Sequence, residues 1–201
     1  MCRFIESIKI KDGKAELINY HQKRYNNCMD IFYPDCKKHD LKSIVKNYSN
    51  KKSIHKLRIV YDSEIREVNC KPYRIRQHNY FHLRHSDNID YQYKYLKRDN
   101  LIELKHGIDK NDEIIIVKNG YITDSSYSNI AFRKNNKWFT PANPLLNGTR
   151  RQKLIYNNLL QPLPIKVEDI EEFEHFCLIN SMMDLDETIK HSIKKIKDQN
   201  H

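Results

Sequence analysis

The sequence predicts a mixed α/β (α+β) chain organised as two domains, an N-terminal α/β domain at 1–86 and a C-terminal strand-rich α/β domain at 87–201. Three observations carry that expectation. Short runs such as RFIESIKI, KLRIVYD and EIIIVK alternate apolar and polar residues or gather β-branched side chains, as strands do. Helical patterns lie between them, in YHQKRYNNCMDIFY and NGTRRQKLIYNNLLQ. A polar stretch without periodicity, QHNYFHLRHSDN, reads as a loop and places the domain boundary near 80–90.

Taken in order, RFIESIKI is a strand ending in KDGK, a hairpin turn signal, with AELIN returning. A helix follows in YHQKRYNNCMDIFY, with Tyr20, Met29 and Phe32 among its core candidates, and residues 40–48 form a second short helix. KLRIVYD and EIREVNCKPYRIR are antiparallel β-rich neighbours. Beyond the boundary, RDNLIELKHGID is a helix stopped at Gly107, and EIIIVKNGYITD is a hairpin around Asn-Gly. SNIAFRKNNKWFTPA supplies two strands around KNNK, and Trp138 lies in one of them at the core or its rim. NGTRRQKLIYNNLLQ is a helix entered through Gly-Thr, EFEHFCLINSMMD ends in a strand and a polar turn, and the basic tail after residue 190 is read as frayed.

Composition narrows the function classes. With 201 residues and 39% hydrophobic content the chain supports a real core. No apolar run approaches the ~20 residues that span a bilayer. MCRFIESIKIKDGK reads as a strand rather than a signal peptide, so a cytoplasmic protein without a membrane partner is expected. Cysteines 2, 28, 36, 70 and 177 form no C-x-x-C pair and no zinc-spaced cluster, so reduced thiols and no metal are expected. The formal net charge is +10, but the basic residues are scattered outside NGTRRQK and KKIKDQNH. Nucleic acid is therefore not the expected partner, while a positive field suits an anionic small substrate.

Four stretches carry candidate chemistry. In NGTRRQ, Gly148 and Thr149 open a helix whose free N–H groups and dipole favour an anion, and Arg150 and Arg151 add charge. Taken alone, the same residues read as a Thr N-cap on a surface helix. TDSSYSN places Asp124 at a strand end before short hydroxyls and Asn129; by itself it reads as a turn. HQKR sets His21 and Arg24 on one helix face, by itself a solvated one. QYKYLKR holds Lys94 between two tyrosines, before a helix and at the domain junction. A lysine acting as a Schiff-base nucleophile has to lose its proton near neutral pH, which burial and nearby cations favour.

Placed in order, these pieces resemble the class IV fold of pyridoxal-phosphate enzymes, the family of D-amino-acid and branched-chain aminotransferases and aminodeoxychorismate lyase. The shared order is FIES, DGKAELINYHQKR with its H-x-x-R, KYLKR, DEIIIVKNGYITDSSYSNIAF, WFTP, LNGTRR and CLINS. It covers nearly the whole chain. The resemblance implies two domains with the cofactor, pyridoxal 5′-phosphate, in a cleft between them, and a homodimer. It implies that Lys94 holds the cofactor covalently and that Asp124, where the family has Glu, faces the pyridine nitrogen. A carboxylate there keeps the ring protonated and electron-accepting; Asp is one methylene shorter, so the ring or the loop has to shift. By the same resemblance, Arg24, Gly148, Thr149, Arg150 and Ser181 serve the phosphate, Ser128 stands near the lysine, and Arg98 matches an arginine that some members carry.

On the substrate side, Ser7 and the basic residues Arg58, Arg74 and Arg76 suit a dicarboxylate amino substrate. The resemblance then implies 4-amino-4-deoxychorismate lyase activity in folate biosynthesis, releasing pyruvate and 4-aminobenzoate. An aminotransferase acting on a small or branched amino acid is the alternative, and a catalytically degenerate binding module is the third. The chain departs from the family pattern in three places. It starts roughly thirty residues inside the usual family length, Ile5 replaces an aromatic, and DSEIREV stands where an arginine-glycine turn is frequent.

Overall fold

The structure, a computed structural model, describes residues 2–198. Its contacts divide the chain into two compact units, Met1–Arg74 with Tyr93–Lys97, and Ile75–Gln92 with Arg98–His201. Residues 75–86, assigned to the first domain in the sequence reading, thus sit in the second unit, and 93–97 return to the first.

The first unit is an antiparallel sheet with two helices. Strands β1 (Phe4–Lys11), β2 (Lys14–Ala15), β3 (Ile54–Tyr61) and β4 (Ile65–Pro72) lie in the order β2-β1-β3-β4. The expected return strand AELIN pairs only at Lys14 and Ala15. Leu17 then adopts a φ of 56° and turns the chain into helix α1 (Ile18–Phe32). His21, Tyr25, Cys28 and Met29 form the helix's buried stripe, at the i, i+4, i+7, i+8 spacing of one face. That stripe packs on Phe4, Ile8 and Ile10 of β1 and Leu57, Ile59 and Tyr61 of β3. Helix α2 (Leu41–Lys46) is capped by Asp40, whose side chain accepts from Lys42 N at 3.0 Å, and buries Leu41 and Val45 in the same core.

The second unit holds β5 (Phe81–His85), β6 (Glu113–Lys118), β7 (Tyr121–Ser125), β8 (Asn129–Lys134), β9 (Lys137–Pro141), β10 (Gln161–Leu163), β11 (His175–Ile179), β12 (Lys190–Ser192) and β13 (Ile196–Lys197). Its sheet runs β10-β9-β8-β7-β6-β5-β13, with β11 pairing β8 and β12. β5 corrects the expected loop: it runs parallel to β6 with Phe81 and Leu83 buried. The period of two was masked by His82, Arg84 and His85 between and after the apolar residues. The tail is a second correction. β12 pairs with β11 and β13 runs parallel to β5, so the basic residues border the sheet; residues 199–201 lie outside the described part.

The hairpin β6–β7 turns at Asn119 and Gly120, with φ of 51° and 80°, the left-handed pair an Asn-Gly turn supplies. Helix α3 (Asp99–Glu103) is shorter than RDNLIELKHGID suggested. Helix α4 (Thr149–Tyr156) seats Leu154 against Ala131 of β8 and Cys177 and Ile179 of β11. Trp138 is half-buried at the rim of that cluster.

Candidate functional site

In the first unit the polar residues gather around Glu6. Phe4, Glu6, Ile8 and Ile10 share the helix-facing side of β1 by strand alternation, so a carboxylate stands in an apolar row. Arg24 meets it with a two-pronged grip: Nε donates to Oε1 at 2.8 Å and Nη2 to Oε2 at 2.6 Å. His21 Nδ1 lies 2.5 Å from Oε2; since a carboxylate only accepts, Nδ1 carries the proton. Burial alone would raise Glu6, but the Arg24 charge and hydrogen bonds and those of His21 hold it down to about 2. Burial keeps His21 below its usual range, that is neutral. The H-x-x-R pair, read alone as a solvated face, is thus a buried one: His21 is fully buried and the Arg24 side chain is 12% exposed.

Lys94 belongs to the same unit. The N–H of Tyr95 donates to the carbonyl of Tyr93 at 2.9 Å, so Lys94 is the apex of a three-residue turn. Three contacts fix that turn to β1. Ile5 N donates to Lys94 O at 2.9 Å, Leu96 N to Arg3 O at 2.8 Å, and Tyr95 forms an antiparallel bridge with Phe4. Tyr93 stacks edge-on against Phe32 at 4.9 Å and Tyr95 lies 5.3 Å from Phe4, so aromatic packing anchors both flanks of the lysine. Ser7 of β1 is the cross-strand partner of Arg58 on β3. Arg74 is exposed just past β4, and Arg76 is exposed in the second unit.

The second unit assembles the other candidates. Asp124 on β7 is buried; its Oδ1 accepts from Asn129 Nδ2 at 2.7 Å and its Oδ2 from Leu146 N at 2.9 Å. Burial pushes its carboxyl up to about 6, against the pull of those two bonds and of Arg151. Asn129 Nδ2 also donates to Leu146 O at 2.8 Å. Its Oδ1 faces Gly148, where a Cβ would stand 2.1 Å away, so only glycine fits. Gly148, with extended backbone, is the N-cap of α4, and Thr149 is the first helical residue rather than the cap. The first-turn N–H groups have no carbonyl one turn back, which makes this end electropositive.

Arg150 is 2% exposed, and its Nη1 donates to Asp184 in the loop after β11. Arg151 instead ties the preceding loop, donating to Asn147 Oδ1 and Pro141 O, both at 3.0 Å. Ser128 Oγ accepts from Asn180 Nδ2 at 2.8 Å, and Ser181 follows in the two-residue turn closed by the Asn180–Met183 bridge.

Glu6 and Asp184 were not singled out by sequence, and Asn129 and Arg151 stood in candidate stretches without a role of their own. The signal for Glu6 was present: an acid in phase with Phe4, Ile8 and Ile10. Asn129 stood in the same stretch as its partner Asp124 but read there as a turn residue, and Asp184 had no signal because its partner Arg150 lies on another segment.

A family model described as amino-transferase class IV matches residues 3–185. An uncharacterised protein of Haemophilus influenzae is 34% identical over 185 residues, covering 90% of this chain and 98% of that protein. A crystal structure of a candidate 4-amino-4-deoxychorismate lyase from Haemophilus somnus matches with a TM-score of 0.85 and 34% identity, covering 92% of this chain and 98% of that one. The PLP-bound form of a hypothetical aminotransferase from Mycobacterium tuberculosis has a TM-score of 0.75 at 18% identity, covering 97% of this chain and 81% of that one, which is a likeness of fold.

Proposed function

Because the chain belongs to the class IV aminotransferase family, whose members are pyridoxal-phosphate-dependent enzymes, we propose that it is a 4-amino-4-deoxychorismate lyase, releasing pyruvate and 4-aminobenzoate. The observation that carries the reading is the 34% identity, over nearly the full length of both chains, to the Haemophilus somnus protein named for that activity. Each unit by itself holds residues whose chemistry fits the cofactor: in the first, Lys94 at a turn apex and the nearly buried Arg24; in the second, the buried Asp124, the buried Arg150 and a glycine-opened helix start.

When bound, pyridoxal 5′-phosphate supplies an electron-accepting ring joined to the substrate's amine. The chain's residues do the rest. Lys94 Nζ would hold the cofactor covalently and, once free of it, would serve as the base that takes a proton from the substrate. Asp124, whose carboxyl lies at about 6 and is ionised at neutral pH, would supply the negative charge that keeps the cofactor's ring protonated. Arg24, Arg150, Ser181 and the N–H groups after Gly148, at Thr149 and beyond, bind phosphate. By the family resemblance Ser128, whose Oγ accepts from Asn180, would serve near the lysine. Ser7 and Arg58 take a substrate carboxylate, with Arg74 and Arg76 adding positive field.

The protein is proposed to be cytoplasmic and homodimeric; among the described residues no helix is long and apolar enough to cross a membrane. The test incubates the cofactor-loaded enzyme with 4-amino-4-deoxychorismate and no 2-oxo acid. Pyruvate and 4-aminobenzoate in equal amounts are expected. Turnover only when a 2-oxo acid is supplied assigns the chain to transamination instead.

A further inference from the structure

The strands β7 and β8 meet through a tight turn at Ser125–Ser128. Ser125 N donates to Ser128 O at 2.8 Å, and Ser125 Oγ accepts from Ser128 N at 3.0 Å. The closure uses backbone groups and the Ser125 hydroxyl, so it makes no demand on the aromatic side chain at the third position, Tyr127. That side chain reaches out of the turn instead. Its hydroxyl lies 2.9 Å from His78 Nε2, forty-nine positions earlier in the chain and inside the same unit.

His78 is a firm anchor. It is 6% exposed, and its ring stands edge-on to Phe81 of β5 at 5.7 Å. Phe81 in turn packs edge-on against Phe176 of β11 at 4.7 Å, so the imidazole is rooted in the core of the second unit. The backbone beside it is fixed as well: Asn79 N donates to Asn111 O and Tyr80 N to Asp112 Oδ1, both at 3.1 Å. Burial holds His78 below its usual range, against the pull of the Glu113 carboxylate, so the ring is neutral at pH 7. A neutral imidazole has one N–H and one bare nitrogen and pairs with a phenol as donor or acceptor. Two long-range tethers thus reach adjacent residues of one turn: His78 on Tyr127, and Asn180, whose Nδ2 donates to Ser128 Oγ at 2.8 Å.

We propose that His78 is a positioning residue: through Tyr127 it sets the turn that follows Asp124 and carries Ser128, and so the geometry in which this unit presents those two groups to pyridoxal 5′-phosphate. The proposal rests on the cofactor reading of Asp124 and Ser128 given above. It adds two residues, His78 and Tyr127, that act on the cofactor through the turn.

The test titrates the cofactor-free wild type and variants with pyridoxal 5′-phosphate. Absorbance reads uptake, and the circular dichroism of the bound cofactor reads its orientation. Tyr127→Phe and His78→Leu are each expected to weaken uptake about fivefold, the worth of one such hydrogen bond, and to alter the dichroism. The double variant is expected to be no weaker than either single one, because both remove the same bond. His78→Gln, which places an amide near the position of Nε2, is expected to restore uptake and dichroism. Tyr127→Phe keeps its ring, so it tests the bond even where His78→Leu does not fold.

Fully additive losses in the double variant overturn the proposal. So does a His78→Gln protein no better than His78→Leu in uptake, with both losing urea stability in step, since that gives His78 a packing role alone. Unchanged uptake and dichroism in Tyr127→Phe contradict the proposal and leave the cofactor reading standing. A wild type that takes up no cofactor contradicts the reading and the proposal together.

Discussion

Asp124 on β7 and Asn129 on β8 are direct cross-strand partners, and Asn129 Nδ2 donates a 2.7 Å hydrogen bond to Asp124 Oδ1. The bond helps keep a buried carboxylate ionised against desolvation. In Asn129→Ala that help is gone and the carboxyl rises further. The pH midpoint for cofactor uptake, followed by absorbance, is expected to move to higher pH than in the wild type. An unchanged midpoint would separate Asp124 from cofactor binding.

Gly148 presses on the same asparagine. Its φ is −65°, so alanine meets no backbone strain there, only the Asn129 amide 2.1 Å from the new Cβ. Gly148→Ala is expected to lose about 1–3 kcal/mol of stability in urea denaturation. Adding Asn129→Gly, which clears the space, is expected to recover part of that loss. Simple additivity of the two changes would show that the contact is not the cause.

Glu6 links stability to acid pH. Its folded value is about 2 against 4.5 for the free side chain, so its stabilisation is fully present above about 4.5 and disappears as pH falls through 2. Glu6→Gln removes the charge that Arg24 and His21 share. It is expected to cost about 3 kcal/mol at pH 7, with the gap to wild type closing between pH 4.5 and 2. Chemical denaturation across that range measures it.

His191 acts in a different window. It stacks on Phe81 at 4.8 Å and Phe176 at 5.3 Å, and burial, with Lys195 and His78, drives it down to about 4. A base depressed on folding contributes stability above its free value of 6.5 that is lost as pH falls through 4. His191→Phe keeps an aromatic ring in place and cannot charge. The wild type is therefore expected to lose about 3 kcal/mol relative to this variant as pH falls from 6.5 through 4. Parallel stability profiles would contradict a neutral buried His191.

The legible parts of this chain were those with local periodicity. The β1 alternation and the Asn119–Gly120 turn announce themselves within a dozen residues, and the motif order suggested Lys94, Arg24 and Asp124 as site residues; of the buried stripe of α1 only Met29 was expected, since Tyr20 and Phe32 are half-buried and His21, read on a solvated face, is buried. What stayed hidden depends on contacts distant in sequence. β5 becomes a strand because β6 and β13 flank it, and no apolar run in FHLRH says so. The tail is ordered by pairing to β11 and β5. Arg150 looked like a plain phosphate ligand, yet it meets Asp184 thirty-four positions away. Gly148 is required by an asparagine on another strand rather than by its own dihedral angles.

The central claim is that Lys94 carries pyridoxal phosphate, and the absorbance spectrum of wild type and Lys94→Ala, each with and without added cofactor, tests it most directly. The account predicts a near-visible band of lysine-bound cofactor in the wild type that is lost or shifted in Lys94→Ala, with both proteins showing the same melting behaviour before cofactor is added. The same band in the variant, or none in the reconstituted wild type, would contradict it.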